Sequence, residues 1–174
     1  GMGREFAMQL DRGLHSVDEF WLIARRGSRL KEIASGMQHT VKILPLDLTN
    51  EADMTVLTES LAEEKPVVRM LINCAGYGMM GDFTAVPIKE QTGEVDLNCR
   101  ALLEVTYGCL PYMRAKSRII QLASSAAFLP QPGFSVYAAT KSFVLSFSKA
   151  LRAELKERQI YVTAVCPGPG KTEF

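Results

Sequence analysis

Apolar residues in this chain come in five short bursts separated by longer mixed stretches. The bursts are "EFWLIA" (19–24), "VKILPLDL" (41–48), "VRMLINCA" (68–75), "SRIIQLAS" (117–124) and "YVTAVCPG" (161–168). They are rich in Ile, Leu and Val and mostly lack polar alternation, as parallel strands covered on both faces do. Pro45 cannot donate to a ladder and moves the second burst toward a sheet edge. Between the bursts, helical spacing covers about 3–12, 27–36, 51–63, 88–115 and 135–158. Strand–helix alternation of this kind predicts an α/β fold, a Rossmann-type doubly wound parallel sheet. With no repeat, low-complexity tract or linker, residues 1–174 read as a single domain.

One element is out of order. The first helical stretch precedes the first strand, whereas in a sheet of order 3-2-1-4-5-6 a strand before that helix lies in the middle. The expectation is therefore a sheet interrupted between its first and third bursts, with the first strand and a C-terminal segment missing from the chain.

Composition narrows the function classes. Twenty Lys+Arg against nineteen Asp+Glu leave a net charge of +1, which gives no electrostatic grip on nucleic acid or an anionic membrane. No apolar run approaches a membrane span, and nothing at the start has the layout of a signal peptide. Cys74, Cys99, Cys109 and Cys166 lack CxxC spacing and sit in apolar segments. They read as free thiols of a cytoplasmic protein, with no metal site.

Candidate chemistry gathers late in the chain. Tyr137 and Lys141 in "SVYAATKSF" are four apart and share one helix face. A unit positive charge about 4 Å from a phenolate is worth about 4 kcal/mol at an effective dielectric near 20. That is roughly what brings a phenol's proton within reach of neutral pH. Such a pair also arises by chance, so position must decide its meaning. Ser124, with Ser125 as its neighbour and rival, closes the fourth burst, and open α/β sheets bind ligands at the carboxyl ends of strands. An ordinary strand-to-loop serine has the same spacing. Asn73 to Gly76, "NCAG", closes the third burst with small residues that permit close backbone approach. Asn98 sits in a helical stretch where asparagine has no local advantage, which predicts an interruption of that helix.

"NCAG", Asn98, Ser124, Tyr137, Lys141 and "PG" at 167–168 with Thr172 together resemble, in order and spacing, the short-chain dehydrogenase/reductase family. The resemblance covers the whole chain. It implies that Tyr137 is the general acid/base, that Lys141 tunes it and binds the nicotinamide ribose, that Ser124 orients the substrate oxygen, and that Asn98 holds a relay water. It further implies a dinucleotide cofactor. Asp47 and Leu48 would meet its adenine, Asn73, Ala75 and Gly76 would back it, and Pro167, Gly168 and Thr172 would clasp its nicotinamide end. The opening "GMGREFA" admits two readings, a purification scar or the last glycine pair of the family's TGxxxGxG loop. The resemblance favours the second, with Gly1, Met2 and Gly3 at a helix N-terminus that attracts phosphate. Cys74 stands where the family often has a second asparagine, and Gly170 where a branched apolar residue is usual.

Arg25 and Arg26 follow the first burst where an acid would favour NAD(H), so NADP(H) is preferred over NAD(H); two solvated arginines are the plainer alternative. Met79, Met80, Phe83, Phe128, Leu129 and Phe134 either line an apolar carbonyl/alcohol pocket or simply pack loops. Phe143, Phe147, Ala150 and Leu151 form an apolar helix stripe that predicts a homodimer or homotetramer. The functional expectation is an oxidoreductase interconverting a carbonyl and an alcohol. Its rivals are a non-catalytic NADP(H)-binding module of the same fold and a fragment that acts only through a partner. His15 and His39 receive no role.

Overall fold

The computed structural model describes residues 1–168, so the expectations for Thr172 and Gly170 lie outside the described residues. The chain opens with helix α1 (Met2–Gly13), then alternates strand and helix: β1 (Glu19–Ile23), α2 (Gly27–Ala34), β2 (Thr40–Leu44), α3 (Glu51–Glu64) and β3 (Val68–Asn73). There follow α4 (Ile88–Val95), a π-helical turn (Asp96–Ala101), α5 (Leu102–Cys109), β4 (Met113–Leu122), α6 (Ser135–Glu154) and β5 (Tyr161–Val165).

Every ladder among the described residues is parallel. β1 pairs with β2 in the register Glu19–Thr40 to Ile23–Leu44. β4 lies between β3 and β5, with Ile119 opposite both Leu71 and Val162. Among the described residues no ladder joins β1 to β3, and the sheet falls into a two-stranded and a three-stranded part. That is where the interruption is expected. β2 stops at Leu44, because Pro45 cannot donate and its ring rests near Gly27 at the start of α2.

Alternation decides what each strand buries. Trp21 and Ile23 of β1 join Leu44, Leu57, Leu61, Val105 and Cys109 in a core beneath α3 and α5. Phe20, pointing the other way, meets the His39 ring edge-on at 5.2 Å. A second core joins Ile119 and Val162 to Leu151 and Leu155 of α6, and Leu71 touches both. At about 25 cal/mol per Å² of apolar surface, each fully buried leucine or isoleucine contributes about 2 kcal/mol. Asp11, buried near the end of α1, accepts hydrogen bonds from the Gln38 and His39 amides and meets His39 Nδ1 at 2.8 Å, which ties α1 to the entry of β2.

Three boundaries differ from expectation for identifiable reasons. The stretch 88–115 is not one helix: the π turn interrupts it, and Pro111 ends it in a short 3₁₀ turn. β4 begins at Met113, earlier than the apolar pattern predicts, because a bulge separates the Val68–Met113 pair from Met70–Arg118, with Lys116 in a left-handed conformation at φ 70°. α6 ends at Glu154, short of 158, since Leu155 turns into the core and its carbonyl accepts Ile160 N–H.

Candidate active site

The residues singled out by sequence converge on the carboxyl ends of β3 and β4. Asn73, the last residue of β3, donates from Nδ2 to Gln121 Oε1 at 2.8 Å and to Thr106 Oγ1 at 3.0 Å. Gln121 and Thr106 are both buried, and their network fixes the start of the "NCAG" turn. Gly76 lies where a Cβ would fall 2.8 Å from Asn98 Oδ1 and 3.3 Å from Lys141 Nζ. The glycine there makes room for two side chains of the site itself. Ala75 is exposed beside it.

Asn98 is 1 % exposed and sits inside the π turn. A π turn widens a helix at one residue and is a frequent companion of functional sites. Its amide accepts from Tyr77 N–H at 3.0 Å and donates to Tyr77 O at 2.8 Å and Thr140 Oγ1 at 3.0 Å. The helix interruption expected at this asparagine is present. Both of its amide hydrogens are engaged by protein, joining the loop after β3 to α6.

α6 carries Tyr137 and Lys141, both buried. Lys141 Nζ lies 5.6 Å from the Tyr137 ring centroid and donates to Leu122 O at 2.8 Å. Burial lowers the ammonium's pKa to about 8, against a smaller opposing pull from Cys99 and Cys74. The Phe134 ring stacks on Tyr137 at 4.3 Å, and Ala126 and Ala138 complete that cluster. Ser124 is extended, and its hydroxyl accepts Ala126 N–H at 3.1 Å, capping the 3₁₀ turn that carries Ala126. Ser125 is exposed, and its N–H donates to Pro167 O at 2.9 Å. That bond draws the segment after β5, Pro167 and the exposed Gly168, to the end of β4.

The residues expected on the nucleotide side occupy the neighbouring strand ends. Gly1 caps α1 without a side-chain hydrogen bond, Met2 opens the helix, and Gly3 lies where a Cβ would fall 3.4 Å from Cys74 Cβ. The N-terminus of α1 thus abuts the "NCAG" turn. Arg25 and Arg26 are exposed between β1 and α2. Asp47 accepts from the Thr49 hydroxyl at 2.7 Å and the Thr49 amide at 3.0 Å; with the nearby Arg25 guanidinium these hold its carboxyl below the usual range. Leu48 packs onto the first core. Arg100 donates to Thr49 O at 3.0 Å and pairs with Asp96 and Glu104, bracing this loop from the Asn98 turn.

Of the apolar set expected at the mouth, Met79, Met80, Phe83, Phe128 and Leu129 are exposed. A cleft of about 510 Å³ lies between Met80–Asp82 and Pro130–Phe134, bridged by a Gly81 N–H to Gly133 O bond at 2.8 Å. Sequence reasoning missed Gln121, Thr106, Thr140, Gln91 and Glu94. Each is a polar residue in a helical or strand run, and only the tertiary fold reveals its partner. Among the described residues no group of His, Cys, Asp or Glu could hold a metal ion, and no helix is long and apolar enough to cross a membrane.

A doubly wound parallel α/β fold with polar side chains gathered where its strands end defines a Rossmann-type domain. Comparison with known proteins carries this further: the chain belongs to the short chain dehydrogenase family, which it matches over residues 1–174. It is 34% identical over 154 residues to the NADP-dependent 3-hydroxy acid dehydrogenase YdfG of Shigella flexneri, covering 86% of this chain and 62% of that protein. Among solved structures it resembles a short-chain dehydrogenase from Sphingobium yanoikuyae in complex with NADPH. There the TM-score is 0.87 at 31% identity, over 99% of this chain and 68% of the other. It is equally close, at TM-score 0.87 and 27% identity over 99% of this chain and 72% of the other, to a 3-ketoacyl-(acyl-carrier-protein) reductase from Brucella melitensis complexed with NADH. The chain is an oxidoreductase of this family, built to bind a nicotinamide nucleotide and a small-molecule substrate.

Proposed function

We propose that the chain interconverts a carbonyl and an alcohol with NADP(H), and that Tyr137 is the general acid/base. The observation that carries this is the convergence at Gly76: Asn98 Oδ1 and Lys141 Nζ close on one backbone position while the same ammonium lies 5.6 Å from the Tyr137 ring. The dinucleotide supplies or accepts the hydride at the substrate carbon. In the reducing direction Tyr137 Oη gives its proton to the substrate oxygen, and in the oxidising direction it takes that proton back. Lys141 keeps its positive charge near the phenol and, with one N–H on Leu122 O, has two left for ribose hydroxyls. Ser124 orients the substrate oxygen, and Asn98 fixes the loop and helix around a relay water.

The residues present fit a dinucleotide. The first turn of α1 has no side-chain cap, so its N–H groups are available to a pyrophosphate from Gly1, Met2 and Gly3. Asp47 and Leu48 would meet the adenine, Asn73, Ala75 and Gly76 would back the cofactor, and Pro167 and Gly168 would clasp its nicotinamide end. Arg25 and Arg26, exposed past β1, suit a 2′-phosphate, and the relatives that use NADP and NADPH support that preference. The exposed apolar residues around the cleft support an apolar substrate.

Tyr137→Phe tests the reading. Turnover of ketones with NADPH should fall by about 10²-fold or more, with NADPH affinity retained by fluorescence titration. Undiminished turnover would remove Tyr137 from the chemistry. NADPH binding with no turnover by the unaltered protein across a panel of ketones and alcohols would favour the binding module.

A further inference from the structure

The loop from Tyr77 to Gly81 is pinned to the α4–π segment at several points. Besides the Asn98 pair, Tyr77 O–H donates to Glu90 O at 3.0 Å, and Met79 N–H donates to Glu94 Oε1 at 2.6 Å. Gly78, between these ties, lies flat against the aromatic pair. A Cβ there would fall 2.7 Å from Tyr137 Cγ and 2.9 Å from Phe134 Cε2. The height of this loop therefore sets the position of the Tyr137 ring.

Glu94 is 1 % exposed and Gln91, one turn earlier, 6 %. Glu94 Oε2 and Gln91 Oε1 are buried acceptors without a hydrogen-bond partner. The Gln91 amide cannot be turned round to relieve this, because its Nε2 already donates to Phe83 O at 2.8 Å and Val86 O at 2.7 Å. Both side chains face one cavity of about 10 Å³, shared with Met79, Gly81, Phe83, Val86, Ser135 and Val136. The lining from the loop and from α6 carries no charge. The titratable neighbours are Glu90 on the same helix and the Tyr77 phenol, neither of them a cation. A carboxylate here has no counter-ion, and two adjacent acceptors lack a donor. One proton satisfies both.

We propose that Glu94 works as an uncharged carboxylic acid, donating from Oε2 to Gln91 Oε1 while Oε1 receives Met79 N–H, and that this acid–amide pair is the positioning element holding the Tyr77–Gly81 loop against Tyr137. Burial pushes the Glu94 carboxyl above its ordinary range, with Glu90 adding to the effect against the pull of Met79 N–H. A carboxyl raised in the folded state contributes stability that is complete below the unfolded pKa and is lost as pH rises through the folded one. The pair is thus firm in mild acid and loosens toward alkali. Its consequence for catalysis rests on the role proposed for Tyr137.

Glu94→Gln supplies the same donor and acceptor with no proton to lose, and Glu94→Leu supplies neither. Relative to the parent, the Gln variant should melt at the same temperature near pH 5 and higher near pH 8. The carbon-13 carboxyl resonance it removes should titrate well above that of an exposed glutamate. In turnover with NADPH at neutral pH, Leu should lower kcat by about tenfold or more, as small misplacements of a reacting group do, with cofactor affinity unchanged. Gln should rescue kcat and shift its alkaline decline. A Gln variant less stable than the parent at pH 8, or a Glu94 resonance that titrates like an exposed glutamate, would overturn the proposal, since either means a carboxylate served by a water or cation. A parent protein with no turnover at all would defeat the oxidoreductase chemistry, while the resonance and the melting curves would still judge the acid–amide pair.

Discussion

Asn98 and Tyr77 exchange a pair of hydrogen bonds, Tyr77 N–H to Asn98 Oδ1 at 3.0 Å and Asn98 Nδ2 to Tyr77 O at 2.8 Å. A side-chain amide thereby does for the loop what a neighbouring strand does for a ladder. Because the π turn lets one asparagine also reach Thr140 on α6, the loop after β3 and the helix bearing Tyr137 share a single anchor.

Removing that anchor should destabilise the fold as well as impair the site. Asn98→Leu leaves part-buried Tyr77 backbone groups without partners, at about 1–3 kcal/mol each. A loss of about 2–5 kcal/mol in urea unfolding is expected, and a loss below about 1 kcal/mol would mean that the loop finds other partners.

Gly78→Ala separates site geometry from stability. Its added methyl must displace the Tyr137 and Phe134 rings. We expect kcat to fall about 10²-fold, as displacement of a reacting group by about 1 Å can do, at a cost to stability of only about 1–3 kcal/mol, the usual size of overpacking. Unchanged kcat would show that the two rings move aside without consequence.

The fold was largely legible in the sequence because parallel strands buried on both faces write themselves as unbroken apolar bursts, and all five are present. What was illegible was long-range. The start of β4 depends on a bulge against Val68, and the division of 88–115 depends on how Asn98 is used by Tyr77 and Thr140. Tyr137 and Lys141 could be paired by helical spacing alone. Glu94 could not, since a glutamate in a polar helical stretch reads as solvated until the fold closes over it. Within the stripe of Phe143, Phe147, Ala150 and Leu151, Leu151 is buried and Phe147 packs on two cores, leaving Phe143 and Ala150 at the surface.

Lys141 should make stability depend on pH. Its pKa is lowered to about 8 in the fold against an ordinary value of 10.5. Between those values the unfolded chain binds more protons, so stability rises with pH. Compared with Lys141→Met, the parent should gain up to ~3 kcal/mol between pH 7 and pH 10.5 in urea titrations. A difference that stays flat would place the Lys141 pKa near its ordinary value.

Arg25 should set the choice of nucleotide. Arg25→Asp removes a partner for a 2′-phosphate and places a like charge near Asp47. The ratio of kcat/KM for NADPH over NADH should fall about tenfold or more, a bidentate phosphate contact being worth a few kcal/mol. An unchanged ratio would remove Arg25 from cofactor selection.

Self-association should run through the exposed apolar residues of the α4–α5 segment and α6. Val95, Leu103, Tyr107 and Phe143 are each more than a third exposed. Leu103→Arg with Phe143→Glu should give a monomer by light scattering where the parent is a dimer or tetramer. A parent that is already monomeric at micromolar concentration would end that expectation.

The division of the sheet also bears on where a dinucleotide would lie. With β1 bonded only to β2, and β3 only to β4, among the described residues, the two ladders have no backbone bond in common. They are coupled by side chains, through Leu71 and Trp21 packing on the α3–α5 core and through Arg100 on Thr49 O. A dinucleotide that touched Arg25 and Asp47 on one side and Asn73 and Lys141 on the other would span both ladders and act as a tie between them.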